Sequence, residues 1–85
     1  MSRALHSARY DAFRALLVGR RKRAGLTQAA VAERLGRPQS YVAMYEGGER
    51  RLDLVEFMEV AAAIKFDPES FVRALKKRIG EAGSD

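Results

Sequence analysis

The chain has 85 residues, enough for one domain and too few for two, and with no cysteine and a single histidine, His6, it excludes a disulfide framework, a zinc-finger spacing and a His-rich metal site. Sixteen Lys and Arg against eleven Asp and Glu leave a net charge of +5, which favours polyanionic partners through counterion release, and the lack of cysteine fits a reducing, cytoplasmic compartment. The longest apolar run, Val60 to Ile64, is far below the about 20 residues a membrane span needs, and the N-terminal stretch, broken by Arg3, His6, Arg9 and Asp11, has no signal-peptide core.

Strand signals are nearly absent, and five helical segments can be read. The first runs from about Ser7, a candidate N-cap, to Arg23, with Tyr10, Phe13, Leu16 and Leu17 on one face. Arg20 to Arg23 load its C-terminal turns with charge that suits the helix dipole, and Gly25 ends it. The second runs from Gln28 to Leu35, capped by Thr27, with Leu26 placed to staple onto Val31 and Gly36 as its left-handed stop. The third starts at Pro38 or Gln39 and stops before Gly47-Gly48. A capping-box variant, Asp53-x-x-Glu56, marks the fourth, whose Leu54, Phe57, Met58, Ala61 and Ile64 are expected to point inward. The fifth opens with Asp67 as N-cap and Pro68 as first residue and carries Phe71, Val72, Leu75 and Ile79 on one face. Glu69 and Arg73 form an i,i+4 pair, and the tail from Gly80 to Asp85 is expected to fray. No heptad persists for three turns, so the fold class is all-α, a compact five-helix globule rather than a coiled coil.

The second and third helices are separated only by Gly36, Arg37 and Pro38. So short a turn containing glycine brings two helices together at the steep angle of a helix-turn-helix. Residue sizes agree: Ala32 is small where the helices approach, and Val31, Leu35, Val42 and Tyr45 supply apolar contacts that fix the angle. The whole of 1–85 then reads as a single domain, with a helix-turn-helix core at 20–64, the motif at 28–47 and the fifth helix at 68–79.

The stretch Arg20–Ile64 contains Gly25-Leu-Thr-Gln28, Ala32-Glu-Arg-Leu-Gly36, Gln39-Ser-Tyr-Val42 and Tyr45-Glu-Gly-Gly-Glu-Arg-Arg51. In these it resembles the lambda-repressor/Cro-type helix-turn-helix family, to which bacterial and prophage regulators of the xenobiotic-response-element class belong. The resemblance implies a lambda-repressor-like fold and double-stranded DNA as partner. It places Gln28 at a glutamine that touches phosphate and braces the recognition helix, Gln39 at one that reads an adenine, and Ser40 at a second base-reading position. Tyr41 and Met44 are expected on the same outward face, within reach of thymine methyls or backbone. Arg37, Arg50 and Arg51 flank the recognition helix, where cations meet phosphates and set register without reading sequence. Arg21 and Glu46 match a structural pair tying the first helix to the end of the third. The chain departs from its relatives at Ala43 and Met44, where many have Ser and a basic residue, and at Arg37, a turn position that is usually apolar.

Two functional readings follow. In the first, the chain is a sequence-specific transcriptional regulator, a homodimer on a palindromic operator, with Phe71, Leu75 and Ile79 contributing dimer contacts because a small core can use only part of the fifth helix's stripe. In the second, the same fold binds a protein partner, as an antitoxin or an anti-activator. Ala43 and Met44 favour the second; the basic flanks with Gln28 and Gln39 favour the first. An enzyme is not expected, because scattered carboxylates and one histidine supply no catalytic cluster. The reading requires no cofactor, metal, membrane or small-molecule substrate.

Overall fold

Local capping chemistry sets where the helices begin. Ser7 Oγ accepts the Tyr10 N–H at 3.0 Å and Thr27 Oγ1 accepts that of Ala30 at 3.0 Å. Asp53 and Glu56 close a reciprocal capping box, 2.7 and 3.0 Å, and the Asp67 carboxylate accepts the amides of Glu69 and Ser70. These caps open α1 (Ala8–Arg23), α2 (Gln28–Leu35), α4 (Leu54–Ile64) and α5 (Pro68–Ala82); α3 (Gln39–Gly47) has Pro38 at its N-cap and no side-chain cap. The computed structural model describes residues 7–82, and the side chains of 7–80. His6 and the end of the tail lie outside the described residues, among which there is no strand.

α1 packs on α3 and α5, and α2 on α3 and α4. The core is made by Leu17, Val31, Val42, Tyr45, Val60 and Phe71, all fully buried. Phe71 is its aromatic centre: the rings of Phe13, Phe57 and Phe66 lie 5.7, 5.0 and 5.2 Å from it, so one side chain of α5 joins α1, α4 and the turn before α5.

That centre corrects two expectations. Phe71 is 0% exposed and is therefore a core residue, not a dimer contact. Successive i,i+4 positions advance about 40° around a helix, so the line from Phe71 through Leu75 to Ile79 starts in the core and drifts toward solvent; Leu75 and Ile79 are only half-buried. In α4 the inward stripe is Phe57, Val60, Ala61 and Ile64, whereas Leu54 is 72% and Met58 52% exposed. At 100° per residue, Leu54 lies about 70° and Met58 about 110° from the centre of that stripe, so Val60 takes the core position.

Smaller differences concern the ends. α5 continues past Gly80 to Ala82, and Gly47 is the last residue of α3, with left-handed Gly48 as its cap. No ion pair joins Glu69 and Arg73; both are exposed, where such a pair gains little.

Candidate nucleic-acid interface

The turn between α2 and α3 is built on Gly36, whose backbone is left-handed at φ 68° and ψ 33°. A Cβ is strained in that conformation, which ends α2 and redirects the chain toward α3. The amides of Gly36 and Arg37 close it by donating to carbonyls of the last turn of α2. Val31, Ala32, Val42 and Tyr45 are buried in the angle so formed.

Consequently α3 has two faces. Val42, Tyr45 and Glu46 point into the protein, while Gln39, Ser40, Ala43 and Met44 form a continuous solvent-facing stripe. Gln39, Ser40 and Met44 thus lie together as expected. Tyr41 does not: it is 7% exposed, and its ring meets that of Tyr45 edge-on with centroids 5.6 Å apart. One residue beyond Ser40, the helix has already turned it inward, so Tyr41 is excluded from the outward stripe.

Behind the stripe, one carboxylate ties three helices together. Glu46, 8% exposed, accepts from Arg21 at 2.7 and 3.0 Å and from the Gln28 side-chain amide at 2.9 Å. Arg21 also donates to the Leu26 carbonyl at 3.0 Å, and its pKa is raised chiefly by the hydrogen bond to Glu46. The Arg21–Glu46 pair is therefore largely desolvated and fully hydrogen-bonded, the arrangement in which a buried ion pair is tolerated. Gln28 sits at the first position of α2 and braces the end of α3 through Glu46.

The three flanking arginines differ. Arg37 Cζ lies 4.4 Å and Arg50 Cζ 4.7 Å from the centroid of the Tyr41 ring. Arg50 also pairs with Glu56 through two hydrogen bonds, 2.9 and 3.2 Å. Together with the Asp53 N–H this holds the Glu56 carboxyl down at about 2. Arg51 is exposed and lies over the Tyr10 ring at 4.4 Å.

Sequence reasoning missed two residues of this region. Arg14 donates to the Glu46 carbonyl at 2.8 Å and to Asp11 at 2.7 Å, so it satisfies the end of α3. It passes so close to left-handed Gly48 that a Cβ there would sit 3.1 Å from Arg14 Nε. Tyr10 carries Arg51 and accepts the Leu52 N–H on its hydroxyl at 3.4 Å. The i,i+3 spacing of Asp11 and Arg14 was the one local signal; the other contacts join residues more than 30 positions apart.

A helix-turn-helix domain model matches residues 12–75, from within α1 into α5. A solved structure, described as an XRE-family like protein from Pseudomonas syringae pv. tomato str. DC3000, is 45% identical to the chain. It superposes with a TM-score of 0.82 over 89% of this chain and 93% of that one. The chain belongs to the XRE family of helix-turn-helix proteins. Members are typically non-enzymatic DNA-binding regulators, and in this XRE-family chain the stripe of α3 faces solvent. Among curated proteins none matches the sequence. No helix of the described residues is long and apolar enough to cross a membrane.

Proposed function

We propose that this XRE-family chain is a sequence-specific transcriptional regulator that occupies a palindromic operator as a homodimer in the cytoplasm. The observation that carries the reading is the solvent-facing stripe of Gln39, Ser40 and Met44 on a helix whose other face is locked by Arg21, Glu46 and Gln28. A carboxamide such as that of Gln39 offers a donor and an acceptor, matching N6 and N7 of adenine in the major groove. Ser40 supplies a second base contact, and Met44 an apolar surface for a thymine methyl. Gln28 spends one amide hydrogen on Glu46 and keeps the other for a phosphate. Arg37 and Arg51 flank α3 as cations for the DNA backbone, and Arg50 lies beside them paired with Glu56.

Pairing is supported by an apolar face that runs from Ile79 and Leu75 across Val72 to Leu54 and Met58. Two-fold packing on it would set two recognition helices about 34 Å apart, one turn of DNA. No catalysis, cofactor or small-molecule substrate enters this reading.

Selection of bound duplexes from random-sequence DNA tests the proposal and returns the operator. On the selected site, Gln39→Ala is expected to lose about 1–3 kcal/mol of discrimination at one base pair per half-site, with affinity for scrambled duplex nearly unchanged. Parental affinity and selectivity in that variant would remove α3 as the reading head. The second reading, a module that binds a protein partner as an antitoxin or anti-activator does, draws on the uncharged middle of the stripe, Ala43 and Met44. It takes first place if the selection enriches no sequence.

A further inference from the structure

Arg37, Arg50 and Arg51 carry the same charge but are not equally available. Arg50 gives two hydrogen bonds to the Glu56 carboxylate and a third to the Arg51 carbonyl. Among the described residues neither Arg37 nor Arg51 makes an ion pair. Each lies over a tyrosine ring, with Cζ 4.4 Å from the centroid, Arg37 on Tyr41 and Arg51 on Tyr10, whereas Arg50, 4.7 Å from the Tyr41 centroid, is also held by Glu56. Both rings are themselves fixed. Tyr41 is buried against Tyr45, and Tyr10 packs on Phe13 at 5.3 Å while its hydroxyl holds the Leu52 amide. A cation–π contact holds a guanidinium through the ring face without consuming any of its five N–H donors. An arginine held in this way has less side-chain freedom to lose when an anion arrives.

We infer that Tyr41 and Tyr10 are positioning residues that hold Arg37 and Arg51 as two prealigned phosphate contacts, one before α3 and one after it, and that Glu56 withdraws Arg50 from that set. This rests on the DNA-binding reading and deepens it. Register on the duplex is then set by two aromatic-mounted cations, and the tyrosine that had been expected to face DNA acts from inside the fold.

The test is the affinity for a short random-sequence duplex, measured against salt concentration. Arg37→Ala and Arg51→Ala are each expected to lower the log–log salt slope by about 0.9 and the affinity about fivefold near physiological salt. Tyr41→Leu and Tyr10→Leu are expected to weaken binding about two- to fivefold, the range of an exposed cation–π contact, and the corresponding Phe variants to restore it. In the Tyr41→Leu background, Arg37→Ala should cost less than in the parent. Glu56→Gln keeps an acceptor for the Asp53 amide and frees Arg50, so it should raise the slope by about 0.9. Leucine variants that are folded and bind with the parent's affinity and slope, while the arginine variants lose theirs, overturn this inference alone. A parent with no salt-dependent affinity for duplex DNA overturns the DNA-binding reading with it. Should Tyr41→Leu fail to fold by circular dichroism, the Tyr10 pair and Glu56→Gln decide.

Discussion

Tyr45 and Glu46 are neighbours on α3, and both are buried, yet they are satisfied very differently. The Tyr45 hydroxyl meets no hydrogen-bond partner, and burial pushes its pKa far above the usual phenol value, so it stays neutral. An unpartnered buried hydroxyl carries a desolvation cost of about 1–3 kcal/mol, so Tyr45→Phe is expected to raise stability by about 1 kcal/mol. In a domain of this size that is a melting shift of about 4–8 °C upward, and a downward shift would mean the hydroxyl is satisfied in solution. Glu46 has three donors on its two oxygens. Glu46→Ala leaves Arg21 buried without its partner and is expected to cost about 3–5 kcal/mol. Asp11→Ala, at the more exposed Arg14 pair, is expected to cost under about 1 kcal/mol. Similar urea midpoints for these two alanine variants would contradict the burial assigned to Glu46.

Among the elements, α4 shows most directly how a helix start becomes pH-sensitive. Its Glu56 carboxyl is held at about 2, against an ordinary 4.5, by Arg50 first and the Asp53 amide second. A carboxyl depressed in the folded state contributes stability above its unfolded pKa and loses it as pH falls toward the folded one. Stability is therefore expected to decline as pH falls from about 4.5 to about 2, and Glu56→Gln to flatten that part of the profile in urea titrations. The box that places Glu56 was readable from Asp53-x-x-Glu56, as were the caps at Ser7, Thr27 and Asp67 and the turn at Gly36, because each is a short-range signal. Not so the register of α4 and α5. Leu54, Met58 and Phe71 are all apolar, and which of them is buried depends on where the four phenylalanines meet. The turn after α4 was silent too: Lys65 adopts the left-handed conformation at φ 73° without being glycine. At the interface, the stripe of α3 was legible from the helix-turn-helix pattern and the resemblance, while the aromatic mounts of Arg37 and Arg51 come from contacts across the fold.

For the molecule as a whole, three of the five large apolar side chains exposed among the described residues lie close together. Leu54, Met58 and Val72 are 72%, 52% and 46% exposed and border one groove between α4 and α5, and Leu54 and Val72 also border a second that reaches Leu75 and Ile79. Contiguous apolar surface on a small protein marks a contact site, and a homodimer is the expected use. Val72→Glu and Met58→Glu should leave the fold intact, shift sedimentation toward the monomer and weaken operator binding. A parental dimer in both variants would move the interface elsewhere. Phe71→Ala is unsuitable for this purpose, since emptying the aromatic centre costs about 3–5 kcal/mol whatever the oligomeric state.

The sharing of Glu46 among α1, α2 and α3 also bears on how the molecule breathes. A helix of nine residues is too short to persist alone in water, and this one is fastened at its far end by side chains from two others. α3 therefore has no private opening: to fray, it must release Arg21, Gln28 and Arg14 together. Amide protons in the last turn of α1, the first turn of α2 and the last turn of α3 are expected to exchange with deuterium at one common free energy of opening. Those of α5 beyond Leu75, where the apolar line has drifted off the core, should exchange earlier. In Glu46→Gln the common opening should split, with α3 exchanging ahead of α1, so that a single carboxylate decides whether three helices open as one unit or separately.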